Sequence, residues 1–119
     1  FPLAVELHPV PDVESALLRL SALPHSLLLD SAMRDPHLGR YSFLAADPYE
    51  WFTATADQGD VRAQLDQRLK QFSAEARPDL PPFQGGAAGL FSYELSRSLE
   101  RVAPEQFDEF DVPAIAIGM

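Results

Sequence analysis

The sequence predicts an α+β fold, a mostly antiparallel sheet packed by two or three helices, on three observations. Several short runs alternate at period two or are continuously apolar. Two segments repeat apolar residues at helical spacing behind an aspartate. Strands and helices are interleaved without the strict βαβ order of a parallel sheet. With 119 residues, 46% of them apolar and 23% charged, the chain holds enough apolar residue for a real core. It reads as one domain, 1–119, or a piece of one.

The elements follow in order. Pro9-Val10-Pro11 is a rigid extended lead-in. Asp12 caps a helix whose apolar positions Val13, Ala16, Leu17 and Leu20 share one stripe, and Pro24 ends it. His25 to Ser31 carries Leu27-Leu28-Leu29, a continuous run of the kind found in strands covered on both faces. Met33 to Gly39 contains Asp-Pro and Gly and reads as a loop. Arg40 to Ala46 is a second strand, stopped by Asp47-Pro48. Tyr49 to Ala56 is a third, with Trp51, Thr53 and Thr55 on one face and Phe52, Ala54 and Ala56 on the other.

Asp57-Gln58-Gly59 is a turn, and Asp60 caps a second helix with Val61, Leu65, Leu69 and Phe72 on one stripe. A proline-rich crossing, Pro78 to Pro82, leads to the most distinctive stretch, Pro82-Phe83-Gln84-Gly85-Gly86-Ala87-Ala88-Gly89-Leu90-Phe91-Ser92-Tyr93-Glu94-Leu95. It predicts a fourth strand. Gly85-Gly86 permits backbone angles that a Cβ forbids, and a glycine inside a strand, Gly89, marks a tightly approached backbone. Something is expected to pack directly against this segment. Ser96 to Arg101 reads as a short helix, Glu105 to Asp111 as an acidic loop, and Val112 to Met119 as a last alternating strand. That strand ends without a polar terminus and residue 1 is Phe, so the chain is expected to be the N-terminal part of something longer.

Charge and motifs exclude several functions. Eighteen acids against nine bases give −9, which argues against a nucleic-acid or anionic-membrane surface. No apolar run approaches the roughly 20 residues that span a bilayer. The absence of cysteine removes disulfides, thiolate metal sites and a cysteine nucleophile, and fits a reducing cytoplasm. His8, His25 and His37 are too far apart in sequence for the usual zinc spacing. Neither a nucleophile elbow nor a phosphate-cradling loop is present. Gly85-Gly86-x-x-Gly89 lacks the strand before and the helix after that a dinucleotide fingerprint needs. Asp108, Glu109 and Asp111 offer oxygens to a hard cation, but three acids in a loop also make an ordinary solvated face. Glu94 and Glu100 form a carboxylate pair with no second group to give them a role. No catalytic and no metal-binding residue is assigned.

Three segments together resemble the N-terminal domain of the chorismate-utilising synthases, anthranilate synthase component I and aminodeoxychorismate synthase component I. They are Leu27-Leu28-Leu29-Asp30-Ser31-Ala32, Gly39-Arg40-Tyr41-Ser42-Phe43-Leu44-Ala45-Ala46-Asp47-Pro48, and the glycine stretch through Tyr93-Glu94-Leu95 followed by Glu100. Asp111-x-Pro113 matches the family's entry to its next strand. The resemblance implies a fragment of a larger two-part α/β-sandwich synthase fold. In that fold the chorismate- and magnesium-binding catalytic domain lies downstream, and a glutamine amidotransferase subunit or domain supplies ammonia.

It also implies that this domain packs on the catalytic half, through Gly85, Gly86, Gly89 and Tyr93, and contributes to an amino-acid (tryptophan) pocket at Asp30, Ser31 and Arg40. The chemistry is apt. Ser31 can hydrogen-bond the polar head of an amino acid, Asp30 can accept from an ammonium, and Arg40 can pair with a carboxylate. Other readings stand beside it: Asp30-Ser31 as local turn chemistry, Arg40 as a surface charge at a strand end, and the glycines as backbone packing alone. Asp30, where anthranilate synthases more often carry Glu, leans toward the aminodeoxychorismate enzyme of folate synthesis. Anthranilate synthase, of tryptophan synthesis, is the alternative. A free-standing amino-acid-binding regulatory module, or a purely structural domain, remains a reading from a different class.

Overall fold

The computed structural model describes residues 3–33, 35–101, 103 and 110–119. It is an α+β chain with two antiparallel sheets, as the interleaved pattern predicts, and it divides into two compact units, 1–47 and 48–119.

In the first unit, helix α1 spans Val13–Leu20. Asp12 is its N-cap, accepting from the Ser15 amide at 2.9 Å, and this bond holds the Asp12 carboxyl below the usual aspartate value. Ala16, Leu17 and Leu20 form its half-buried stripe, and α1 packs on the second strand of the unit. Strands β1 (Leu27–Leu29) and β2 (Phe43–Ala45) form an antiparallel pair in the register Leu27↔Ala45, Leu28↔Leu44, Leu29↔Phe43. The chain enters β1 through His25 at φ 51° and leaves β2 through Asp47 at φ 53°, whose amide donates to the Pro24 carbonyl at 2.8 Å.

Two expectations change here. Leu27–Leu29 is not covered on both faces: Leu27 and Leu28 are half-buried and Leu29 is 46% exposed. A two-stranded sheet under one short helix has too few neighbours to enclose both faces. The second strand is also shorter than Arg40–Ala46, because only residues opposite the three leucines find ladder partners.

In the second unit β3 (Trp51–Ala54) and β4 (Ala88–Phe91) flank β5 (Ile115–Gly118), both antiparallel to it. The registers Phe52↔Ile117↔Gly89 and Ala54↔Ile115↔Phe91 put these residues on one face. Helix α2 (Val61–Gln71) belongs to the same unit, with Asp60 capping it through the Ala63 amide at 2.9 Å. Its first residue, Val61, is fully buried with Phe52, Ala54, Ile115 and Ile117, and Leu65, Ala87, Leu95 and Met119 pack around this cluster. Phe52 and Ala54 are buried and Trp51 and Thr53 exposed, as the alternation predicts.

Arg68 pins α2 to β3. Its Nε donates to Glu50 Oε1 at 2.8 Å, and its guanidinium carbon lies 4.3 Å from the Phe52 ring centroid. The final strand is paired on both sides, by β3 and by β4. The short helix after β4 is a 3-10 helix over Tyr93–Ser98, starting before the expected Ser96. Ser92 halts β4 by bonding the Ala114 carbonyl with both its amide (3.0 Å) and its hydroxyl (3.2 Å).

Candidate functional site

The β1–β2 register decides where the predicted amino-acid contacts fall. Leu29 opposes Phe43, so the next residues outward, Asp30 and Ser42, face each other across the open end of the pair. Ser42 Oγ donates to Asp30 Oδ1 at 2.6 Å. Ser31 follows directly, and the loop from Met33 returns the chain to it. Gly39, at φ +70°, lies so close that a Cβ there would sit 2.6 Å from Ser31 Oγ and nearer still to the Met33 carbonyl oxygen. Only glycine fits that conformation and that gap.

Asp35 shapes the loop from inside. Its Oδ1 accepts from the amides of His37 (2.7 Å) and Leu38 (3.0 Å), and these two bonds hold its carboxyl below the usual aspartate range. Arg40 leaves the loop with its guanidinium carbon 5.0 Å from the centroid of the Tyr41 ring. Tyr41 in turn lies 6.0 Å from Phe43, centroid to centroid, in a tilted pair.

Asp30, Ser31, Arg40 and Ser42 are all solvent-exposed. The fold therefore gathers a carboxylate, two hydroxyls, a guanidinium and an aromatic pair at one end of a hairpin. Asp30 and Ser31 lie just past β1, where Asp30 accepts from the Ser42 side chain across the strand pair. Arg40 is engaged with Tyr41 and makes no hydrogen bond or ion pair with Asp30 or Ser31 among the described residues. Ser42 is the residue that sequence reasoning missed. The signal was the strand register: pairing the two runs with Leu29 against Phe43 places Ser42 beside Asp30.

The glycine motif divides into two parts. At Gly89 (φ +152°) a Cβ would lie 2.8 Å from Ile117 Cα and closer to the Ala116 carbonyl oxygen, so the group packed against it is strand β5. At Gly85 (φ +150°) and Gly86 (φ +121°) nothing among the described residues lies within 4 Å of a Cβ. Their need is conformational. Gln84, just before them, clasps Arg77 by two bonds of 2.8 Å, accepting from its amide and donating to its carbonyl, and so closes the proline-rich crossing. Tyr93 is 82% exposed at the start of the 3-10 helix.

Of the remaining acidic groups, Glu94 is ion-paired with Arg97 at 2.9 Å. Asp108 and Glu109, part of the possible cation loop, lie outside the described residues. Among the described residues no three His, Cys, Asp or Glu converge to hold a metal ion, and no helix is long and apolar enough to cross a membrane.

Comparison with known proteins gives relatives over most of the chain. It is 33% identical over 112 residues to aminodeoxychorismate synthase component 1 of Salmonella typhimurium, covering 82% of this chain and 24% of that protein. It is 33% identical over 118 residues to the Escherichia coli protein of the same name, covering 85% and 25%. Anthranilate synthase component 1 of Synechocystis is again 33% identical over 113 residues, covering 83% and 22%. The chain thus spans about a quarter of the length of the curated relatives it matches. No family model matches it, and no solved structure matches it. The relatives are component 1 proteins of chorismate-utilising synthases, and the chain is homologous to them.

Proposed function

We propose that this chain is the N-terminal, non-catalytic part of an aminodeoxychorismate (para-aminobenzoate) synthase component I. Its parent aminates chorismate with ammonia from a glutamine amidotransferase partner, in the cytoplasm, for folate synthesis. The observation that carries the reading is one-third identity along nearly the whole chain to proteins about four times longer. Magnesium belongs to the catalytic part of the parent on this reading. The domain's role is to pack on the catalytic half and to supply one side of an amino-acid pocket. Exposed apolar side chains on β4 and around it, Phe83, Leu90 and Phe91, support the packing role. The chemistry of the hairpin end supports the pocket: Asp30 suits an ammonium, Ser31 a polar head, and Arg40 a carboxylate.

Anthranilate synthase component I is the second reading, favoured by equal identity to the Synechocystis protein. One experiment tests both. The native full-length protein is incubated with chorismate, magnesium and ammonium, and the product is identified by mass. The expected product is 4-amino-4-deoxychorismate. Anthranilate would move the chain to the second reading. A native protein that ends near Met119 and leaves chorismate untouched would remove the synthase reading and promote a free-standing amino-acid-binding module.

A further inference from the structure

We propose that Ser42 is a positioning residue for the Asp30 carboxylate, fixing which of its oxygens is presented to the ammonium of a bound α-amino acid. This rests on the reading of Asp30 and Ser31 as amino-acid contacts. Asp30 sits one residue beyond the β1–β2 ladder, where the backbone no longer holds it in register. A carboxylate there is free to rotate about its side-chain torsions, and an exposed carboxylate that must be ordered on binding loses affinity. Ser42 removes that freedom by donating to Oδ1 at 2.6 Å from the strand opposite. Among the described residues Asp30 makes no other hydrogen bond, so Oδ2 and the remaining lone pair of Oδ1 stay available as acceptors.

On the other side, Gly39 lets the returning loop pass close to Ser31, where a Cβ would collide with Ser31 Oγ and the Met33 carbonyl. Asp35 holds this loop closed through the His37 and Leu38 amides. The carboxylate is thus braced from the residue following Tyr41, across the end of the strand pair. An oriented acceptor at Asp30, with the Ser31 hydroxyl next in the chain able to donate or accept, suits the ammonium and carboxylate of a single amino-acid head.

The test is a double-mutant cycle read by calorimetric titration of the native full-length protein with L-tryptophan. Ser42→Ala is expected to weaken binding by about tenfold, the effect of roughly one oriented charge-assisted contact. Ser42→Thr, which keeps the hydroxyl, is expected to stay within about threefold of wild type. Acting through Asp30, the loss must be non-additive, so that Ser42→Ala adds nothing in an Asp30→Asn background. Additive losses, or a Ser42→Ala protein that binds like wild type, would overturn the positioning role while leaving the pocket standing. A wild-type protein that binds no tryptophan would overturn the pocket itself, and this inference with it.

Discussion

Gly89→Ala is the sharpest perturbation the structure offers, because the close approach at Gly89 is to backbone and cannot be relieved by a rotamer. An alanine Cβ would stand 2.8 Å from Ile117 Cα and closer to the Ala116 carbonyl. Carbon atoms in contact prefer about 3.5–4.0 Å, so β4 and β5 would have to part by roughly 1 Å. Ladder bonds near 2.9 Å do not survive that opening. Losing about two of them costs roughly 2 kcal/mol, and holding alanine at φ +152° costs roughly 1–3 kcal/mol more. The total, about 3–5 kcal/mol, is a large part of the roughly 5–15 kcal/mol that stabilises a domain.

Gly85→Ala is the control, since it shares the strained φ (+150°) but meets open space. Trp51, the only tryptophan, lies on β3 in the same sheet and reports the unfolding by fluorescence. In urea, with a slope of about 1–3 kcal/mol per molar, Gly89→Ala should lower the midpoint by about 1–5 M relative to wild type, and by clearly more than Gly85→Ala. Equal shifts for the two variants would mean that φ alone is at stake and that the close approach to β5 costs nothing.

Two further outcomes follow from the caps and the acids. Asp60→Ala removes the side chain that accepts from the Ala63 amide and should cost about 1 kcal/mol in the same urea assay, with Asp60→Asn largely restoring it. Acid should loosen the Met33–Gly39 loop. The Asp35 carboxyl is held below its ordinary value of 3.8 by the His37 and Leu38 amides, so its contribution is present above that value and is lost as pH falls through the lower folded one. Amide hydrogen exchange at His37 and Leu38 should therefore stay protected down to about pH 4 and lose protection below it; protection lost near pH 6 would contradict the assignment.

What the sequence made legible is what short-range chemistry determines. Asp12 and Asp60 each cap the helix that follows, because an aspartate before an apolar-periodic run has few better uses. Phe52 and Ala54 face the core and Trp51 and Thr53 do not, because a strand alternates whatever its partners. The failures sit where neighbours decide. The three leucines of β1 carry no mark of how many layers will cover them. Gly85, Gly86 and Gly89 look alike on paper, yet only Gly89 abuts a strand, because that depends on the register of β4 against β5. Ser42 escaped notice for the same reason: its value comes from being opposite Asp30, a property of pairing and not of either residue.

The distribution of burial bears on whether the amino-acid site is whole. The six buried residues among those described, Phe52, Ala54, Val61, Ala114, Ile115 and Ile117, all belong to the second unit. The unit that carries Asp30, Ser31, Arg40 and Ser42 has none among its described residues; its apolar contacts are half-buried ones such as Ala16, Leu17 and Leu20 of the helix and Leu27, Leu28, Phe43 and Leu44 of the two-stranded sheet. A hairpin of that size is marginal in water without a further layer, and an exposed guanidinium–carboxylate site is weakened by solvent screening. A free-standing sensor would need a core beneath its site and walls around its ligand. This hairpin end supplies exposed polar groups at the edge of a half-buried pair of strands. On the proposed reading it is one side of a pocket that the rest of the parent completes.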